Sequence, residues 1–287
     1  MPTRRYSILI PSWNNLPYLK LCVESLRRHS AVDHEIILHL NEGSDGSREW
    51  ADQEGLLYSV SDENVGICIA LNEASKQATT DYIVYMNDDM YALPGWDTAL
   101  FSVIAKIPHQ RWFLSGTMIE PAASRNPCAI APHNYGSGPD DFQREELLHD
   151  FQDLPMSNWS GANWPPNIVP RSLWEEVGGY SEEFSPGIAS DPDFSRKVWE
   201  AGVRHFQGVS AARVYHFQSR STGKVVRNNG RQQFLEKWGI TLSTFTRCYL
   251  RLGKPWKGPL KTPRPSPKLW FYQIKSALRL RRSPNRS

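Results

Sequence analysis

Two adjacent carboxylates, Asp88 and Asp89, follow Asn87 directly after the apolar run Tyr82-Ile83-Val84-Tyr85-Met86. Strand ends in α/β sheets are where ligands bind, and paired acidic oxygens on a rigid edge suit a hard divalent cation such as Mg²⁺ or Mn²⁺. Asn-Asp-Asp is also ordinary turn chemistry, with Pro94-Gly95 close behind, so these residues alone leave a turn and a cation site both open. Other candidates are scattered along the chain. Asp191 and Asp193 flank Pro192, where an N-cap Asp with proline at the first helical position would account for Asp191 without any chemistry. His216 ends a short apolar strand, a place where a lone histidine more often packs than ligates. Arg220, with Ser221 and Thr222 beside it, could hold a phosphate group by charge-assisted hydrogen bonds or lie in a surface loop.

The elements that must position these residues alternate in type. Residues 6–10 read as a strand, broken by Pro11-Ser12-Trp13-Asn14-Asn15 before a helical pattern at Leu19, Cys22, Val23 and Leu26. Asn14 or Asn15 can cap that helix, with Pro17 in its first turn. Residues 35–40 form the second strand, followed by the polar loop 41–47, and residues 56–60 a weaker third strand. Asn64-Val65-Gly66 opens a helix carrying Ile67, Ala70, Leu71 and Ala74, which leads into the strand at Tyr82. This alternation predicts right-handed βαβ units and a mostly parallel sheet, whose loops after the first, second and fourth strands open on one edge. Neither Gly-x-Gly-x-x-Gly nor a P-loop follows the first strand. Residues 120–156 read as a long loop. Order resumes at 160–162 and 167–169, with helices over 171–177 and from Asp191, and a strand at 213–216.

Composition bounds the class. The 287 residues carry a formal charge of +3, and no Asp or Glu occurs after Glu236. Residues 251–287 hold 11 of the 33 Lys and Arg, leaving 22 basic against 30 acidic side chains over residues 1–250, so the basic character belongs to the tail. Cys22, Cys68, Cys128 and Cys248 form no Cys-x-x-Cys pair and indicate neither a zinc site nor a disulfide scaffold. The start of the chain lacks the apolar stretch of a secretory signal, and no apolar run approaches the roughly 20 residues of a membrane span. A cytoplasmic protein is expected, with any membrane contact peripheral.

In this order the motifs resemble the family 2 glycosyltransferases of the GT-A fold, over about residues 5–222. Pro11-Ser12-Trp13-Asn14 matches the family's Pro-x-Tyr-Asn, with Trp for Tyr. Asn41-Glu42-Gly43-Ser44-Asp45-Gly46 matches Asp-Asp-Gly-Ser-x-Asp-Gly, with Asn and Glu for the acidic pair and one residue missing. Asn64-Val65-Gly66 and Ala70-Leu71-Asn72 match Asn-x-Gly and Ala-x-Asn. The Asp-x-Asp metal motif falls on Asn87-Asp88-Asp89, Gly-Gly-Phe-Asp-Glu on the segment from Gly178-Gly179-Tyr180, and Glu-Asp-x-Asp-Leu on Ser190-Asp191-Pro192-Asp193-Phe194.

The resemblance implies a Rossmann-like, mostly parallel sheet flanked by helices, with a small acceptor-side subregion. It also implies an inverting transfer from a nucleotide-diphosphate sugar (UDP, dTDP or GDP) to a hydroxyl of a saccharide or lipid-linked acceptor, in cell-surface polysaccharide synthesis. By the same likeness Asp89 ligates a divalent cation, Mn²⁺ or Mg²⁺, with His216 completing its shell. Pro11, Trp13, Asn14, Glu42, Asn64, Gly66, Asn72, Asp88 and Arg220 contact the donor, with Glu42 accepting the ring N–H of the base. Asp191 is the general base with Asp193 in reserve, and Trp159, Gly161 and Trp164 border the acceptor. A noncatalytic nucleotide-sugar or glycan-binding subunit of the same fold is the alternative, favoured by the changes at Asn41, Asn87 and Ser190.

These readings divide the chain into a catalytic domain over residues 1–250, its donor half about 1–118 and its acceptor half 119–250, and a basic extension over 251–287. Within the extension Trp270 or Phe271, Ile274, Ala277, Leu278 and Arg281 fall on neighbouring helical rows, an apolar stripe flanked by cations. That pattern suits an anionic membrane surface, or a helix packed on protein. No nucleic-acid module accompanies the charge.

Overall fold

Apolar runs alternating with amphipathic segments build one ten-stranded sheet in a computed structural model, which describes residues 5–124, 126–219 and 228–281. β1 (Ser7–Trp13), β2 (Glu35–Asn41) and β3 (Leu57–Ser61) pair in parallel, and β4 (Tyr82–Tyr85) joins the free side of β1, also in parallel. The crossovers are α1 (Leu16–His29), α2 (Ser47–Gln53) and α3 (Gly66–Ser75). α1 buries Leu19, Cys22, Val23 and Leu26 on one face, as their spacing requires. Asn15 holds its cap position, but its side chain makes no capping bond; the Leu16 N–H donates instead to Asp45 Oδ2 at 2.7 Å. The start of α1 is thereby tied to the loop after β2.

The second half departs from the parallel pattern. After β5 (Met90–Ala92), α4 (Trp96–Ile104), β6 (Trp112–Ile119), β7 (Ala129–Ile130), α5 (Arg144–Asp150) and β8 (Trp159–Ser160) come β9 (Asn167–Pro170) and α6 (Arg171–Val177). α7 (Ser190–Glu200), β10 (His205–His216), α8 (Gly230–Trp238), α9 (Leu242–Thr244) and α10 (Pro267–Arg281) complete the chain. The strand order is β3-β2-β1-β4-β9-β6-β10-β5, with β7 beside β6 and β8 beside β10. β9 is antiparallel to both β4 and β6, and β5 and β8 are antiparallel to β10, so the sheet is mixed.

Both faces of the sheet are covered. Alternate residues of β1 diverge, Ile8 and Ile10 into one core with α1 and α4, and Leu9 into a second with α3, α6 and α7. Residues 126–156, which lack helical or strand periodicity over most of their length, are held by a third cluster that includes Ile130, Tyr135, Leu147, Phe151 and Tyr215. Arg213 donates to the Phe151 and Leu154 carbonyls, and the Tyr215 hydroxyl donates to the Gly136 carbonyl at 2.6 Å. Long-range contacts of this kind leave no periodic mark on the segment itself, which is why it reads as a loop. The first ten residues of the basic extension are also strapped down: the Ser160 N–H donates to the Lys254 carbonyl and the Leu260 N–H to that of Arg204. Among the described residues, no helix is long and apolar enough to cross a membrane.

Candidate functional site

The carboxyl ends of β1, β2 and β4 open into a cavity of about 510 Å³. β1 contributes Pro11, Ser12 and Trp13, β2 contributes Asn41, and the end of β4 supplies Tyr85, Asn87, Asp88 and Asp89. Asn64, Gly66 and Ile67 at the start of α3 form one wall, the 186–188 loop another, and His216 at the end of β10 with Gln218 and Ser219 beyond it a third. Gly66 is required there. Its φ is +79°, a Cβ would lie 2.5 Å from Pro186 Cα, and the adjacent Ile67 N–H donates to the Pro186 carbonyl. Asn41 ties the strand ends together, its Nδ2 donating to the Ser12 carbonyl while its Oδ1 accepts from the Val65 N–H.

The acidic pair is not symmetric. Asp88 Oδ2 accepts from Ser12 Oγ at 2.7 Å. Burial, and then the neighbouring Asp89 charge, push Asp88 up to about 7 against the hydrogen bond from Ser12. Burial would raise Asp89 as well, but the His216 imidazolium and Ser219 outweigh it and hold Asp89 below the ordinary carboxylate range. Asp89 Oδ2 accepts from the Ser219 N–H at 2.9 Å, and Oδ1 lies 3.4 Å from His216 Nε2. On its other side His216 Nδ1 meets Glu120 Oε1 at 3.2 Å. Burial disfavours the imidazolium, yet Asp89 and Glu120 together lift His216 to about 10.

This donor set fits a divalent cation. A carboxylate on the far ring nitrogen is the partner a metal-ligating histidine ordinarily has, and Glu120 takes that position. One carboxylate oxygen and one imidazole nitrogen lining the cavity suit Mn²⁺ when phosphate oxygens complete the shell. Among the described residues no group of three or more His, Cys, Asp or Glu is gathered to hold an ion, so such a cation would take its remaining ligands from substrate or water. It would also displace the proton His216 holds.

Glu42 lies next to the Trp13 end of the cavity. It accepts from Trp13 Nε1 at 2.9 Å and from Asn14 Nδ2 at 3.0 Å, while Asn14 Oδ1 accepts from the Ser44 N–H. Two of a carboxylate's roughly four acceptor positions are thus used. Asn14 braces the Glu42 loop and is not among the lining residues. Asn64 lines the cavity while its Oδ1 accepts from the Gly66 N–H.

Asp191 is not among the residues lining this cavity but is partly exposed, and it is tied to the cavity wall through Tyr180. Tyr85, a lining residue, meets Tyr180 edge to face, and the Tyr180 hydroxyl donates to Asp191 Oδ1 at 2.9 Å. Asp191 does not cap α7: Ala189 holds the N-cap position, and Asp191 lies in the first turn of the helix. Burial drives its carboxyl up to about 7, opposed by the Tyr180 hydrogen bond. Tyr180 is held in turn by Asn72, whose amide exchanges two 2.9 Å bonds with the Tyr180 backbone. Asn72 therefore positions Tyr180 and is not among the residues lining the cavity. Asp193 is fully buried and accepts from Trp238 Nε1 at 2.7 Å, with Lys237 Nζ at 3.1 Å. It ties α7 to α8.

Of the acceptor-side residues, Trp159 is buried with its Nε1 donating to Thr117 Oγ1, and its indole lies on Gly208 where a side chain would clash. Gly161 packs against the backbone of Leu250 and Leu252. Trp164 packs on the first core cluster with its indole N–H buried and unpartnered. None of the three lines the cavity. Arg220 lies outside the described residues, as do Ser221, Thr222 and Lys224. Ser12, Tyr180 and Glu120 are the residues that sequence reasoning missed. For Tyr180 a signal existed, the hydroxyl it adds where the resembled motif has Phe.

The model of Glycosyl transferase family 2 matches residues 7–115, which carry the β1 to β4 edge. Two Bacillus subtilis (strain 168) proteins with glycosyltransferase in their names, EpsH and EpsJ, are 28% and 30% identical over 101 and 90 residues. Those stretches cover 33% and 30% of this chain, and only 29% and 26% of the relatives' own lengths. S. aureus TarS 1–349 in complex with UDP superposes with a TM-score of 0.53 at 17% identity, over 74% of this chain and 60% of that one. GalNAc-T7 with UDP, GalNAc and Mn²⁺ gives 0.55 at 14% identity, over 79% and 44%. The mixed sheet with its flanking helices is the GT-A fold of these structures.

Proposed function

From a glycosyltransferase family 2 likeness across the nucleotide-side edge and a GT-A fold matched over 74% to 79% of the chain, we propose that this protein is an inverting, metal-dependent glycosyltransferase. It moves a sugar from a nucleoside-diphosphate sugar to a hydroxyl of a saccharide or lipid-linked acceptor, in cytoplasmic steps of cell-surface polysaccharide synthesis. The observation that carries this reading is the convergence, on one cavity, of Trp13, the Asp88-Asp89 pair and His216. Such a set offers an apolar wall for a base at one end and a charged cradle for a diphosphate at the other. UDP-sugars are the first donors to test, since TarS and GalNAc-T7 were both solved with UDP.

In this scheme Trp13 walls the base and Glu42 accepts its ring N–H. Asp88, braced by Ser12, faces the ribose. Asp89 and His216 would hold a divalent cation, which when bound neutralises charge building on the departing diphosphate. Arg220 would add a charge-assisted bond to the same phosphates. The acceptor hydroxyl gives its proton to Asp191, its oxygen forms the new bond at the anomeric carbon, and the bond to the diphosphate breaks on the opposite face. A base near 7 fits that task, and Tyr180 fixes where its carboxylate points.

Thermal melting of the purified protein with UDP-, dTDP- and GDP-sugars, each with and without Mn²⁺, tests this reading. Binding to the folded state alone raises the melting temperature. One nucleotide class should do so, and Mn²⁺ should enlarge the shift. If no nucleotide sugar moves the melting temperature with any cation, the reading fails.

A further inference from the structure

α10 turns its apolar stripe away from the body of the protein. Leu269 and Ser276 are its buried residues, and Ser276 Oγ accepts from the Thr241 N–H at 3.0 Å while Arg247 donates to the Tyr272 hydroxyl. On the opposite side Trp270, Phe271, Ile274 and Leu278 are 66%, 62%, 37% and 51% exposed. A helix that only packs on its own domain turns its larger apolar face inward. Here the inward contact is a leucine and a serine, and two aromatics face out.

The charge around the stripe is of one sign. Lys268, Lys275 and Arg279 run along one flank at helical spacing, Arg281 sits at its end, and no acidic residue occurs after Glu236. We propose that α10 docks the protein on an anionic lipid surface, its aromatic stripe entering the headgroup layer and its cations meeting lipid phosphates. At 15 residues the helix spans about 22 Å, too short to cross a bilayer and suited to lying flat in its surface. A second copy is the poorer occupant, because a two-fold contact through this face would oppose two cationic stripes. This docking surface stands apart from the donor cavity, and its test does not depend on transfer.

The test is co-sedimentation of the full chain with phosphatidylcholine vesicles, with or without phosphatidylglycerol. Binding should require phosphatidylglycerol and weaken with added salt. The paired substitution Trp270→Ser/Phe271→Ser should abolish it with the melting temperature unchanged, since both side chains are exposed. Lys275→Glu/Arg279→Glu should weaken it about tenfold or more, each cation near such a surface counting for roughly fivefold. Failure of the wild type to bind phosphatidylglycerol vesicles overturns the proposal, as does undiminished, wild-type binding by both paired variants. A dimer seen by light scattering and lost in the same variants, without vesicle binding, would assign the stripe to a second copy instead.

Discussion

Tyr180 sets how Asp191 behaves, because a desolvated carboxylate with one donor titrates where that donor lets it. The Asp191 carboxyl is raised from 3.8 to about 7, and in the proposed transfer a base must be ionised to act. Transfer should therefore rise with pH through about 7. Tyr180→Phe removes the donor that favours the ionised form, so the acidic limb of the rate profile should move to higher pH while donor binding stays unchanged. Asp191→Asn should keep the donor-induced melting shift and lose about 10²–10⁴-fold in transfer, the usual worth of a positioned base. Stability gives the same residue a second readout. A folded-state value above the unfolded one means the ionised carboxylate costs stability, a cost absent near pH 4 and complete above about 7. Asp191→Asn should then melt higher than the wild type at pH 8, with the difference vanishing near pH 4. Full transfer by Asp191→Asn would remove this residue from the chemistry.

At the scale of elements, the two aspartates of α7 separate by role although they are two residues apart. Asp193 joins α7 to α8 through Trp238 and Lys237, so Asp193→Asn should lower stability by about 2–3 kcal/mol and leave the pH limb of transfer in place. A shifted limb would show that the two carboxylates act together. Where α3 meets the 186–188 loop, Gly66→Ala adds a methyl at positive φ against Pro186. It should cost about 1–2 kcal/mol and weaken donor binding, since that contact shapes a cavity wall. Retained affinity at reduced stability would separate the wall from the donor. The α10 stripe was legible in sequence as a periodic pattern, but the direction it faces was not, because that is set by Thr241, Thr244 and Arg247 on other elements.

Across the whole molecule, what sequence made legible follows the range of the interactions. The β1 to β4 crossovers announce themselves through alternating apolar runs, and the loops at their carboxyl ends carry Trp13, Asn64, Gly66 and the Asp88-Asp89 pair to one cavity. The second half is written in distant contacts. The Asn72 clamp on Tyr180 joins residues 108 apart, and Trp159 is committed to the core by Thr117 and Gly208 and not by its neighbours in the chain. An indole intended for a sugar and one filling a core are the same letter, and only packing tells them apart. The Asp89-His216 pair depends likewise on the antiparallel pairing of β5 with β10, which sets Met90 opposite His216 far along the chain. The proposed cation site rests on that pair. A crystal structure with UDP and Mn²⁺ tests it most directly: a manganese anomalous peak should lie within about 2.5 Å of Asp89 and His216, the diphosphate completing its shell and the base against Trp13. UDP bound elsewhere, or in this cavity with Asp89 still paired to His216 and no metal between diphosphate and protein, would contradict it.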